Sequence, residues 1–270
     1  MTVIWVDGQP QCTLNVMDRG LAYGDGLFET IALRHGQLQR WPRHKARLVR
    51  ACQRLFLALD LSVLEAELNR FITTCADGVV KVVVTRGAGQ RGYALPVPAT
   101  TTRILQWSPV PAYPTAHQTS GIELFPCATR LAEQPLLAGI KHLNRLEQVL
   151  ARAEWSDTRF AEGLVRDTSG RVVEGVFSNL FIVCAGELMT ADLSRCGVDG
   201  VMRQTLLDLA VALNIPNRVL DIDDRVWLQA EEVFMCNSQY GIWPVIACAG
   251  RSWEIGPVTR QLITHLSSAD

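Results

Sequence analysis

Ala138-Gly139-Ile140-Lys141-His142-Leu143-Asn144-Arg145-Leu146-Glu147-Gln148, followed farther along by Val173-Glu174-Gly175-Val176-Phe177-Ser178-Asn179-Leu180-Phe181, is the part of this chain whose reading decides the rest. The first stretch brings one lysine through an otherwise apolar approach. The second sets one carboxylate immediately before a glycine turn that opens an apolar run. A neutral lysine is a nucleophile toward an aldehyde, and burial and cationic neighbours such as Arg145 favour the neutral form. A carboxylate beside a ring nitrogen keeps that nitrogen protonated, so the ring can withdraw electrons. Together Lys141 and Glu174 point to pyridoxal 5′-phosphate as the cofactor. Taken singly, each has a plainer reading as a solvated lysine or a strand-end charge, because charged side chains are mostly exposed.

Working outward, helix and strand patterns alternate. Val3-Ile4-Trp5-Val6 followed by Asp7-Gly8 predicts a strand and turn, and residues 27–34 a second strand. From Pro42, Leu48, Ala51, Cys52 and Leu55 recur at helical spacing, and residues 61–75 repeat the pattern with Leu64, Leu68, Phe71 and Ile72. Residues 79–85 form a β-branched strand, with a shorter one at 103–107 placed beside it. The stretch 108–117, with Pro109, Pro111 and Pro114, predicts an extended connection. Beyond it come strands at 121–126, 161–166, 172–183 (broken by Gly175) and 232–236. A helix is expected over 144–156 with Leu146, Val149, Leu150 and Ala153 facing inward. Another is expected over 203–213 on Leu206, Leu207, Ala210 and Val211. The pattern predicts an α+β protein of two domains, residues 1–108 and 118–270, joined by 109–117.

A chain of 270 residues can bury a substantial core. Its 26 basic and 27 acidic residues leave a formal charge of −1, which gives no electrostatic reason to expect a nucleic-acid or anionic-membrane partner. A small-molecule substrate is expected instead. No apolar run approaches the ~20 residues of a membrane span. The eight cysteines contain no C-x-x-C pair and no zinc-ligand spacing, and Met1-Thr2-Val3-Ile4-Trp5-Val6-Asp7-Gly8 has no basic region or long apolar core of a secretory signal. Reduced thiols in the cytoplasm, and no metal, are expected.

The motifs carry a resemblance to a known family. Asp18-Arg19-Gly20-Leu21-Ala22-Tyr23-Gly24-Asp25-Gly26-Leu27-Phe28-Glu29-Thr30 resembles the opening signature of the fold-type IV pyridoxal-phosphate enzymes, the branched-chain and D-amino acid aminotransferase group. His44-Lys45-Ala46-Arg47-Leu48 resembles its phosphate-binding arginine motif, and Glu174-Gly175 through Asn179-Leu180-Phe181 its cofactor-ring motif. The resemblance implies a smaller N-terminal α/β sandwich, a larger C-terminal mixed β-barrel-like domain with helices, and a homodimer whose sites borrow residues across the interface. It places the cofactor on Lys141, the ring nitrogen against Glu174 and the phosphate on Arg47, with Ser238 where the family has a threonine. Arg91 falls where the D-amino acid aminotransferases place a carboxylate-binding arginine, and Tyr93 and Phe28 are expected toward the substrate. Within the group, residues 138–148 with Thr85-Arg86-Gly87-Ala88-Gly89-Gln90-Arg91-Gly92-Tyr93 most resemble the lyase branch. Thr30 supports that branch, since the lyases carry a threonine there to assist proton handling. A D-amino acid or branched-chain aminotransferase is the alternative. A non-catalytic cofactor-binding protein would have no use for an electron sink.

Local chemistry adds to this set. Gly197-Val198-Asp199-Gly200-Val201-Met202-Arg203 leads into a helix, so the amides of Val201 and Met202 are expected to face the phosphate. Asn144 and Arg145 follow Lys141 by three and four, which on a helix places them beside it at the cofactor's edge. His142 would point away. The glycine-rich stretch 87–93 is not a dinucleotide loop, because Tyr93-Ala94-Leu95-Pro96-Val97-Pro98 opens no helix. It reads as a mobile loop presenting Arg91 and Tyr93 to a substrate carboxylate.

Overall fold

Val79, Val80, Val82, Val83 and Val84 put β-branched side chains on both faces of one strand, and that strand lies at the centre of the first sheet. The computed structural model describes residues 3–267. The chain divides into two units. One runs up to Ala112 and also takes Ile140–Asn144; the other takes Tyr113–Gly139 and everything from Arg145 onward.

In chain order the first unit holds β1 (Val3–Val6), α1 (Arg19–Tyr23), β2 (Gly26–Arg34), β3 (Gln37–Leu38), α2 (Trp41–Arg54), α3 (Leu61–Ile72), β4 (Gly78–Thr85) and β5 (Thr102–Ser108). Its antiparallel sheet has the order β1-β5-β4-β2-β3. Leu27, Ile31 and Leu33 of β2 and Val80, Val82 and Val84 of β4 share one core with Leu48, Ala51 and Cys52 of α2 and Leu64, Leu68 and Phe71 of α3. Pro42 occupies the first turn of α2, where its missing N–H costs nothing. Asp60 caps α3 by accepting from the amides of Ser62 and Val63. By the alternation of a strand, Phe28 and Thr30 lie on the face away from the helices, with Thr30 in register with Lys81.

The second unit holds α4 (Ala116–Thr119), β6 (Ile122–Leu131), α5 (Leu146–Ala153), β7 (Phe160–Asp167), β8 (Val172–Gly175), β9 (Asn179–Cys184), β10 (Glu187–Ala191), α6 (Val201–Ala212), β11 (Asn217–Leu220), α7 (Asp224–Leu228), β12 (Glu232–Asn237), β13 (Gly241–Cys248), β14 (Arg251–Ser252) and α8 (Pro257–Ser267). β9, β12, β13, β6, β7 and β8 follow one another, and β8 pairs back to β9, closing a mixed barrel that β10 and β11 extend. β9 is buried along its whole length. Its Leu180 and Ile182 enter the barrel core with Leu164, Met235 and Val245, while Phe181 and Val183 pack outward on Leu206, Ala210 and Leu262 of α6 and α8. A strand covered on both faces needs the continuous apolar run that the sequence shows.

Several expectations are corrected. The helix expected over 144–156 is α5, which starts at Leu146, so Lys141, Asn144 and Arg145 share no helical face. The face expected to point inward points out: Leu146, Val149 and Leu150 are 76%, 61% and 60% exposed, and Ala151 is buried instead. Val211 is exposed as well. The strand expected to stop at Pro126 runs on to Leu131 through a register shift after that proline. Among the described residues no helix is long and apolar enough to cross a membrane. All eight cysteines are free.

Candidate active site

In the first unit the lysine is held by backbone pairing, not by a helix. Residues 140–144 run along the open edge of β2 beyond β3. Phe28 N donates to Lys141 O at 2.9 Å, Leu143 N donates to Gly26 O at 3.0 Å, and Leu27 and His142 form an antiparallel bridge. Strand alternation then sends Ile140 into the core, where it is 2% exposed, and Lys141 to the face of Phe28. Lys141 Nζ lies 4.5 Å from the centroid of the Phe28 ring. Half-buried against an aromatic face, this amino group is restrained rather than freely solvated. Asn144 does not reach toward this amine; its Nδ2 donates to Gly24 O at 3.4 Å and steadies the turn after α1.

The inward face of β2 carries one charge among its leucines and isoleucine, Glu29, 1% exposed. Arg47 on α2 meets it with both arms of its fork, Nε to Oε1 at 2.8 Å and Nη2 to Oε2 at 2.5 Å, and His44 Nδ1 lies 2.6 Å from Oε2. Burial opposes ionisation of Glu29, but the charge of Arg47 and the hydrogen bonds from His44 and Arg47 prevail and hold the carboxyl at about 2. Burial pushes His44 below the usual histidine range, with Arg47 and Lys141 adding to it against the pull of Glu29. The guanidinium expected to bind phosphate is thus oriented by a buried carboxylate.

The opening motif is largely a clamp on the loop that follows β4. Asp18 accepts from Gly20 N at 2.7 Å, Thr85 Oγ1 at 2.8 Å and Thr102 Oγ1 at 2.9 Å. Asp25 pairs with both Arg19 and Arg86. Arg19 continues to the carbonyl of Gly92 at 2.9 Å, and Tyr93 rests on Tyr23 with ring centroids 5.4 Å apart. Arg91 and Tyr93 are exposed on this loop, which is held at its backbone.

In the second unit Glu174, at the end of β8, is 4% exposed. Its Oε2 accepts from Val198 N at 2.9 Å and Asn179 Nδ2 at 3.4 Å, and Asn179 Nδ2 also donates to Val198 O at 2.8 Å. Gly197, at φ +84, is required on two counts: that backbone is strained for other residues, and a Cβ would stand 2.9 Å from Val173 and 3.2 Å from Glu174 Oε2. Helix α6 begins next, with Gly200 as its N-cap and no side chain capping it. Its first residues, Val201 and Met202, are buried, and their amides belong to the first turn of α6, where the helix dipole favours an anion. Arg203 is tied to Asp199 at 2.9 Å and to Ala191 O at 3.0 Å. Ser238 sits half-buried in the turn between β12 and β13.

The donor set fits a phosphorylated pyridine aldehyde. Each unit taken by itself offers groups of that kind: the first an amine at Lys141 and the oriented guanidinium of Arg47, the second the buried carboxylate of Glu174. Sequence reasoning quoted Glu29, Asn179 and Asp25 within motifs but gave none of them a role of its own. Glu29 was detectable, since it has the parity of Leu27 and Ile31 and so stands on an apolar strand face. Among the described residues no cluster of His, Cys, Asp and Glu is arranged to hold a metal ion.

Residues 26–248 match the model of the class IV amino-transferases, and the chain belongs to that family. It is 55% identical to a 4-amino-4-deoxychorismate lyase from Pseudomonas aeruginosa whose crystal structure it matches with a TM-score of 0.97, over 98% of each chain. It is 36% identical to the aminodeoxychorismate lyase of Vibrio harveyi, over 98% of this chain and 100% of that one. The D-alanine aminotransferase of Staphylococcus aureus strain MSSA476 is 27% identical, over 97% of this chain and 95% of that one.

Proposed function

We propose that this chain is a pyridoxal 5′-phosphate-dependent lyase that converts 4-amino-4-deoxychorismate to 4-aminobenzoate, a folate precursor, and pyruvate. One observation carries the reading: full-length likeness to two aminodeoxychorismate lyases at 55% and 36% identity, against 27% for a D-alanine aminotransferase.

The roles follow from the chemistry of each residue. Lys141 holds the cofactor covalently, and Arg47, the amides of Val201 and Met202, and Ser238 bind its phosphate. When bound, the cofactor supplies an electron sink for the substrate carbon that bears nitrogen. The amine of Lys141 would take the proton from that carbon. Glu174 keeps a proton on the ring nitrogen, helped by burial that excludes water from its carboxylate. Thr30, on the same strand face as Phe28, assists the proton transfer with its hydroxyl. Arg91 orients a substrate carboxylate, with Tyr93 and Phe28 lining the approach. The bond between the substrate's ring carbon and the enolpyruvyl oxygen would then break, the oxygen leaving with the electron pair and the departing enolate taking up a proton to become pyruvate, while the ring becomes aromatic.

The same reading makes the protein a cytoplasmic homodimer, with the interdomain connection at 109–117. The exposed stripe Leu146, Val149, Leu150 and Ala153 on α5 supports pairing of two copies, since apolar side chains at this spacing belong against a partner. The test is Lys141→Ala. It is expected to abolish release of pyruvate and 4-aminobenzoate and to remove the borohydride-reducible cofactor band. An active variant with a normal band would sink the assignment, and amino transfer to 2-oxoglutarate without pyruvate release would make the protein an aminotransferase.

A further inference from the structure

We propose that Glu162 is a positioning residue for Glu174, acting by fixing the turn that joins β8 to β9. The proposal rests on the reading of Glu174 as the partner of the cofactor's ring nitrogen.

Glu162 lies on β7, beside β8, and is 0% exposed. Its carboxylate reaches the turn after Glu174 and gathers it. Oε1 accepts from Gly163 N at 2.8 Å and Val176 N at 3.0 Å; Oε2 accepts from Ser178 Oγ at 2.6 Å and Phe177 N at 3.4 Å. Tyr240 Oη donates to Ser178 Oγ at 2.5 Å, which leaves the hydroxyl proton of Ser178 for Glu162. The turn is closed by Gly175 N donating to Ser178 O at 2.7 Å. On its two sides stand Glu174 and Asn179, paired in register, with Asn179 donating to Glu174. Displacing residues 176–178 therefore moves both.

Two further observations separate this from an ordinary buried polar group. Gly175 has no side chain for a reason: a Cβ there would stand 2.8 Å from Glu162 Cδ and 2.5 Å from Met235 Cε, so the carboxyl is packed against the backbone next to Glu174. All four partners are donors and none carries a charge, so the ionised carboxylate alone satisfies every bond. Burial pushes the carboxyl up to about 7 while the hydroxyl of Ser178 and the three amides pull it back. An apolar side chain would fill the same volume without that desolvation cost. What the carboxylate alone supplies is the four-point hold on the turn.

The experiment compares wild-type protein with Glu162→Gln and Ser178→Ala, each prepared without cofactor and titrated with pyridoxal 5′-phosphate. Glu162→Gln opposes an amide N–H₂ to groups that are themselves donors. It is expected to weaken cofactor binding by about ten- to hundredfold, the worth of lost hydrogen bonds to a charged group. The visible band of the bound cofactor is expected to titrate at a shifted pH, and kcat to fall with KM little changed. A merely structural role would lower the melting temperature and leave affinity and band unchanged in the folded fraction; that result, or wild-type behaviour throughout, overturns the proposal. Should Glu162→Gln fail to fold, Ser178→Ala keeps the carboxyl, removes one donor and is judged by the same readouts. Cofactor affinity and band position need no substrate. A wild type that releases no pyruvate or 4-aminobenzoate therefore fails the lyase reading alone and leaves Glu162 to be judged by those two measurements.

Discussion

Glu29 shows what a single residue can reveal and conceal. Its strand position could be counted from Leu27 and Ile31, which puts a carboxylate on an apolar face, but nothing local names its partner. The partner comes from α2, where His44 and Arg47 lie one turn apart and both meet it. A buried, doubly hydrogen-bonded ion pair of this kind is worth little against an apolar substitute, yet breaking it forfeits the charge interaction while the guanidinium stays buried. Glu29→Gln is therefore expected to destabilise the protein by about 3–5 kcal/mol at neutral pH, read from urea unfolding. A loss below about 1 kcal/mol would show that Arg47 finds another partner. Lys141 and Glu174, the residues proposed to hold the cofactor, stood out in the sequence for a different reason: their neighbours are apolar, and a charge in such a setting is conspicuous.

At the scale of elements, periodicity located α2, α3, α5 and α6 and missed α8, and it misjudged the face of α5 and the place of Val211 on α6. The apolar spacing of Leu146, Val149 and Leu150 is helical, and α5 is a helix, but the pattern cannot say whether the stripe meets the chain's own core or a second copy. Here it is exposed. Leu150→Glu is expected to convert a dimer to a monomer in sedimentation without unfolding it, because the residue touches little of its own chain. A dimer of undiminished stability would place the pairing surface elsewhere. Prolines hid other elements. Pro244 stands in mid-strand in β13 opposite Phe234, where proline ordinarily argues against a strand, and Pro126 concealed the second half of β6, which runs on to Leu131. The segment of Lys141 escaped for a subtler reason. Its strand-like pairing with β2 comes from a partner far away in sequence, and its own residues have no alternation to announce it.

For the whole molecule, Glu29 and Glu162 give the stability curve two limbs of opposite sign. Glu29 is held at about 2, below its usual 4.5, so its contribution is present above pH 4.5 and is lost as pH falls toward 2. Glu162 is raised from 4.5 to about 7, so the folded state keeps a proton that the unfolded chain gives up. Its contribution is full below pH 4.5 and is lost as pH rises through 7. Three titratable groups that feel its charge stay neutral across this window, because burial raises Tyr113 and Tyr240 and pushes Cys127 up to about 12. Unfolding free energies of wild type and Glu162→Gln, measured from pH 4.5 to 8, are expected to diverge in favour of the variant by about 3 kcal/mol across that range. A constant difference would mean that Glu162 titrates alike in both states and is not desolvated. The same variant is expected to bind the cofactor less well. Stability and function thus pull apart at one carboxyl, because the ionised form that holds the turn beside Glu174 is the form that burial disfavours.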